Sequence, residues 1–197
     1  RAAPFLLITE VIPMRRLPAA RALSFRPSPL ARAIAAAFLV TGGPLPWVAH
    51  AAGALPGGLQ VVSGQASVST QAGQMTVKNT AGAILNWQSF SIGAGNSVWF
   101  EQAGATSKVL NRVVGNDPSL ILGRLGSNGQ VWLLNPNGVL FGAGARVDVA
   151  GLVASTLRLN DNDFLAGRYA FSATNGDKAG VRNEGTLATT FGGQIVL

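Results

Sequence analysis

The chain has 197 residues, 48% of them hydrophobic and 12% charged, which suffices for one packed domain and is too apolar for a disordered chain. It has no cysteine, which excludes a disulfide framework and a thiolate metal site. Its net charge of +7 sits mostly at the front, where Arg1, Arg15, Arg16, Arg21, Arg26 and Arg32 face only Glu10 before residue 52; the later bases are scattered, which argues against nucleic acid.

Residues 1–13 precede the first methionine, Met14, and carry only a short apolar run, Phe5-Leu6-Leu7-Ile8. From Met14 the chain reads as an extended secretory signal peptide: an arginine-rich segment, an apolar stretch over 33–40, a Pro/Gly break over 41–46, and then Ala49-His50-Ala51. Eight apolar residues are too few to span a bilayer. Cleavage is expected after Ala51, leaving Ala49 and Ala51 in the processing motif and Ala52 as the first mature residue. The chain thus divides into a leader, 1–51, and one domain, 52–197. The single histidine, His50, falls in the leader, so the domain has neither a Ser-His-Asp triad nor a His-based metal site.

The domain consists of short β-like runs separated by turn residues. Strands are expected over 60–62, 66–69, 74–77, 83–86, 97–100, 107–111, 130–134, 139–141, 146–149, 186–188 and 194–197. The segment 118–125 is ambiguous: Asp117 and Pro118 suit the opening of a helical turn, although a short strand also fits. The clearest stretch is 130–149. Val131-Trp132-Leu133-Leu134 stops at Asn135-Pro136-Asn137-Gly138, where Pro136 cannot continue a ladder and Gly138 accepts a positive φ. Val139-Leu140-Phe141 resumes, Gly142-Ala143-Gly144 turns again, and Val147-Asp148-Val149 alternates.

Two weak internal repeats appear. Residues 142–156 align with 176–190 at an offset of 34, and Val98-Trp99-Phe100 echoes Val131-Trp132-Leu133 at an offset of 33. Stacked strand-turn units share one continuous core, which is the logic of a solenoid. No helix is long enough for a βαβ crossover. The residues alone leave a parallel β-helix and an antiparallel sandwich both open. In a solenoid, 55–62 would cap the first coil, and the apolar end Ile195-Val196-Leu197 reads as a solenoid interrupted between coils, expected to continue beyond Leu197.

Catalytic patterns are scarce. Of the seven acids after residue 51, only Asp161 and Asp163 are close in sequence. Asn160-Asp161-Asn162-Asp163 lacks the glycine and terminal glutamate of a calcium loop, so a solvated turn is expected there. No phosphate-binding loop occurs. Trp87, Trp99 and Trp132 lie in β-like runs and are read as packing residues, with a sugar-stacking platform as the alternative. The chain is read as non-enzymatic and without a cofactor. A secreted carbohydrate-binding or carbohydrate-cleaving β-helix using two distant carboxylates is the alternative.

The string Gly-Gln-Val-Trp-Leu-Leu-Asn-Pro-Asn-Gly-Val-Leu-Phe-Gly over 129–142 resembles the signature of the filamentous-haemagglutinin N-terminal domain, the two-partner secretion family. Residues 84–93, Leu110-Asn111-Arg112-Val113, 121–125 and 151–157 resemble that family in the same order. The resemblance implies a right-handed parallel β-helix with an N-terminal cap and small accessory antiparallel strands, and a brief non-β excursion near 118–125. It implies a secretion-address domain of a large haemagglutinin- or adhesin-like exoprotein. Such a protein is exported by the Sec translocase and recognised in the periplasm by the POTRA domains of a dedicated outer-membrane barrel. It then folds at the cell surface, secreted or surface-bound, and regions downstream would meet host-cell receptors or glycans. The runner-up to that reading is the same domain at the head of a contact-dependent toxin or a haem-acquisition protein. Asn135, Pro136, Asn137 and Gly138 occupy the family's Asn-Pro-Asn-Gly motif, and Asn111, Arg112 and Val113 its Asn-Arg-Val segment. The Asn-Pro-Asn-Leu motif of some haemagglutinins is absent.

Overall fold

The computed structural model describes residues 54–173, 179–190 and 192–197, which all fall within one compact unit, Pro44–Leu197. The expected signal peptide and its cleavage residues Ala49, Ala51 and Ala52 lie outside the described residues. Among the described residues, no helix is long and apolar enough to cross a membrane.

The chain enters through β1 (Gln60–Ser63) and β2 (Ala66–Gln71) and then winds into a solenoid. The first coil is opened by β3 (Gln74–Asn79) and β4 (Ala83–Trp87). The second consists of β5 (Ser97–Glu101), β6 (Lys108–Val113) and β7 (Ser119–Ile121), and the third of β8 (Arg124–Ser127), β9 (Gln130–Leu134) and β10 (Val139–Phe141). The fourth starts with β11 (Arg146–Val149) and β12 (Gly151–Ser155) and makes an excursion through β13 (Arg158–Leu159), helix α1 (Asp161–Leu165) and β14 (Phe171–Ser172). It returns as β15 (Val181–Asn183), and β16 (Thr186–Thr189) and β17 (Ile195–Val196) begin a fifth.

Successive coils stack as parallel ladders on three walls: β4-β6-β9-β12-β17, β7-β10-β15 and β3-β5-β8-β11-β16. This is a parallel β-helix, as the resemblance implies. Its free N-terminal edges are closed by antiparallel strands, β1 on β4 and β2 on β3, so the first coil offers no open ladder on these two walls. Leu55 and Leu59 pack against the core beneath that cap, which bears out its placement at the front of the domain.

Parallel in-register pairing stacks like on like. Val98 lies beside Met75 and Leu125, Val147 beside Leu125 and Leu187, and Val131 between Val109 and Leu152. These inward columns, with Trp87, Phe90 and Phe100, form the main core. The β4-β6-β9-β12 wall is apolar on both faces. Its outward column, Ile84, Leu110 and Trp132, is covered by Leu159 and Phe164 of the excursion. Strands buried on both faces read as continuous apolar runs, as Val131–Leu134 does.

The structure corrects four sequence readings. Segment 118–125 is neither a helical turn nor the non-β excursion but contains the short strand of the other reading: Ser119, Leu120 and Ile121 pair with Val139, Leu140 and Phe141 in register. The non-β excursion lies instead between β12 and β15. The proposed repeats fail because coil lengths are unequal. Arg146 pairs with Thr186, 40 residues on, while Arg124 pairs with Arg146, 22 residues on; Val98 and Val131 lie on different walls. Asn160-Asp161-Asn162-Asp163 is no solvated turn, since Asn160 caps α1 through a bond from the Asn162 N–H. Trp87 and Trp132 are buried as packing residues, but Trp99 is 45% exposed.

Candidate functional site

Two segments far apart in sequence line one groove. Asn135-Pro136-Asn137-Gly138 forms the corner between β9 and β10. The Gly138 N–H donates to the Asn135 carbonyl at 3.0 Å, closing a turn with Pro second and Gly fourth. Gly138 has φ +111°, beyond the reach of most side-chain-bearing residues. The preceding coil turns the same corner just after Asn111-Arg112-Val113 in β6.

Asn135 is fully buried, and its amide is saturated. Its Nδ2 donates to Ser119 Oγ at 2.9 Å and to the Asp117 carbonyl at 3.0 Å, while its Oδ1 accepts from the Asn137 N–H at 2.9 Å and from Asn137 Nδ2 at 3.2 Å. Its backbone N–H donates to the Ser155 carbonyl of the next coil. One side chain thus ties the turn to the coil below while its backbone reaches the coil above. Asn137 is exposed and spans one coil through Nδ2 to the Gly115 carbonyl, 2.9 Å. Gly115 itself sits so tightly over the previous corner that a Cβ would lie 2.0 Å from the Gln88 carbonyl oxygen.

The Asn-Arg-Val segment divides its roles between the faces of β6. Asn111 points into the core, where its Oδ1 accepts from Trp87 Nε1 at 3.0 Å and its Nδ2 donates to the Trp132 carbonyl at 3.3 Å. Val113 is buried. Arg112 points outward to the excursion, donating to the Leu159 carbonyl at 2.8 Å and to Asp161 Oδ1 at 2.5 Å. Asp163 pairs with Arg168 at 2.8 Å.

The resulting groove has a volume of about 750 Å³. One wall carries Arg112, Pro136 and Asn137, and the other carries Leu157, Asn160 and Asp161. The structure therefore brings Arg112, Pro136 and Asn137 together at one surface, and it places Asn111, Val113, Asn135 and Gly138 behind them as buried support. Sequence reasoning missed Asp117, Ser119 and Asp161 as members of this constellation. Only Asp161 had a local signal, since an Asn followed by acids in the first turn is a helix-start pattern. Among the described residues, no group of three or more His, Cys, Asp or Glu could hold a metal. The groove presents amides, carbonyls and the Arg112–Asp161 ion pair beside apolar side chains such as Leu157.

A family model for the TPS secretion domain matches residues 52–197. The crystal structure of the HMW1 secretion domain from Haemophilus influenzae superposes with a TM-score of 0.71 at 34% identity, covering 72% of this chain and 38% of that one. A heme/hemopexin-binding protein of Haemophilus influenzae strain Rd is 38% identical over 172 residues, 73% of this chain and 19% of its own length. A second heme/hemopexin-binding protein from Haemophilus influenzae is 40% identical over 110 residues, 55% of this chain and 12% of its own length. The chain spans less than a fifth of either curated relative.

Proposed function

The chain belongs to the TPS secretion domain family, and we propose that it is the secretion address of a large two-partner exoprotein, read by the POTRA domains of an outer-membrane barrel. The observation that carries the reading is the convergence of the Asn-Arg-Val and Asn-Pro-Asn-Gly segments on one groove of a parallel β-helix. In this reading the domain is non-enzymatic. The chain enters the periplasm through the Sec translocase, is recognised there before it has folded fully, and threads outward. Coils then add one upon another at the surface. Each new coil buries apolar area on the last, and that burial biases transport outward without ATP. Long-range parallel pairing folds slowly, which keeps the chain threadable in the periplasm.

In the folded domain Asn137 and Arg112 present side-chain amide and guanidinium groups at the groove, while Asn135 sets the shape of the turn. Binding of the full chain to the purified periplasmic domains of its cognate transporter, measured both during refolding from urea and after the coils have formed, tests this. Saturable binding that weakens about tenfold with Asn137→Ala is expected, and absence of binding would reject the reading.

The curated relatives favour one cargo class over the others. Both are heme/hemopexin-binding proteins, which supports placing this domain at the head of a haem-acquisition exoprotein rather than an adhesin. Haem binding by the full-length product, measured from its absorption spectrum, tests that choice.

A further inference from the structure

We propose that the outer face of the β3-β5-β8-β11-β16 wall binds an acidic oligosaccharide, stacking a sugar ring on Trp99 and holding its carboxylates with Arg124 and Arg146. The inference uses a surface other than the groove and does not depend on the secretion reading.

Strand register lays this face out as a grid. Along one row, Ser97, Arg124, Arg146 and Thr186 are in-register partners on successive coils; along the next run Thr76, Trp99, Gly126, Asp148 and Ala188. Trp99 is an exposed aromatic on a sheet whose neighbouring position is glycine. A Cβ at Gly126 would lie 2.5 Å from Trp99 Cε3 and 2.6 Å from Cζ3, so the indole occupies the space a side chain there would need. The ring is thereby held against the sheet by backbone packing, and the residue remains 45% exposed. A shallow cavity of about 590 Å³ runs over this seat, lined by Trp99, Arg124, Gly126, Arg146 and Asp148.

The charges beside the ring choose the ligand. Arg124 and Arg146 are register partners on adjacent parallel strands, whose backbones run about 4.8 Å apart, and like charges at such positions repel. The ion pairs found among the described residues involve neither of them. Arg146 Nη1 donates to Thr186 Oγ1 at 2.8 Å, which steers it along the wall. A guanidinium fork suits a carboxylate, so Arg124 and Arg146, on successive coils, offer one fork each to successive acidic sugars, and an electron-rich indole face attracts the polarised C–H face of a sugar ring. Asp148 adds an acceptor for hydroxyl groups. A peptide fits less well: this is the middle of a closed ladder, with no free edge to pair with an extended chain and no apolar stripe for a helix.

The test is calorimetric titration of the purified full chain with a galacturonate hexamer, a neutral galactose hexamer and a hexa-aspartate peptide. The uronate is expected to bind, with the neutral sugar about tenfold weaker or worse. Trp99→Ala, and the double change Arg124→Gln with Arg146→Gln, are each expected to weaken it by a similar factor, whereas Trp99→Phe retains most of the affinity. All three side chains are exposed, so unchanged circular dichroism is expected throughout. The proposal is overturned by no uronate binding at about 1 mM, by equal binding of hexa-aspartate, or by Trp99→Ala leaving the affinity unchanged.

Discussion

Asn135 Nδ2 donates to Ser119 Oγ at 2.9 Å, joining the third coil's Asn-Pro-Asn-Gly corner to the strand beneath it inside a fully buried site. The neighbouring Asn137 faces solvent and makes its cross-coil bond at the surface. Asn135 thus holds the turn from within the core, and Asn137 ties it to the coil below at the surface. Asn135→Ala strands Ser119, the Asp117 carbonyl and the Asn137 N–H, and is expected to cost about 3 kcal/mol. Asn137→Ala is expected to cost about 1 kcal/mol. Urea midpoints of the two variants check the difference, and equal losses would contradict this division.

Arg112 fastens the excursion to the solenoid through Leu159 and Asp161. Both side chains of the ion pair are partly exposed, so the coupling is modest. A double-mutant cycle with Arg112→Ala and Asp161→Ala is expected to give about 0.5–1 kcal/mol, falling as salt is raised.

Trp132 is the seat on which the excursion rests, with ring centroids 5.5 Å from Phe164, 4.6 Å from Tyr169 and 6.1 Å from Phe171. Trp132→Ala is expected to cost about 3–5 kcal/mol. Hydrogen exchange should rise first over 158–172, while amides of β5 and β8 on the opposite wall stay protected. A uniform loss of protection would show that the excursion and the solenoid unfold as one.

Gly115 and Gly104 form a matched pair. A methyl at 115 meets the Gln88 carbonyl oxygen at 2.0 Å, whereas one at 104 meets nothing within 4 Å, and neither glycine has positive φ. Gly115→Ala is expected to destabilise by about 2 kcal/mol or more and Gly104→Ala by less than about 0.5 kcal/mol, read from thermal midpoints.

Stretches whose structure is set by local chemistry were legible in the sequence. Pro136 and Gly138 forced a turn, and the strands on either side, Gln130–Leu134, Val139–Phe141 and Arg146–Val149, have the expected limits. The choice of a β-helix over a sandwich came from the family resemblance, because short strands between turns fit either. β7 was hidden by Pro118, whose helix-start character is overridden by pairing with β10. The excursion was illegible because Phe164, Tyr169 and Phe171 follow neither strand nor helix periodicity; Trp132 organises them from outside the segment. The same holds for the groove. The motif residues could be named, but Arg112 and Asp161 are 49 positions apart, and only coil stacking brings them into contact. Trp99 was misread because its aromatic bulk was taken as a packing signal, although the alternation Ser97-Val98-Trp99-Phe100-Glu101 puts Val98 and Phe100 inward and Trp99 outward with Ser97 and Glu101.

The central claim is that this domain is an address for export, and secretion itself is the most direct measurement. The chain is expressed in a Gram-negative host with and without its cognate outer-membrane barrel, and the medium is compared with the periplasm. The account predicts release only when the barrel is present, and strong loss of release for Asn137→Ala although that variant still folds in vitro. Equal release with and without the barrel would contradict it.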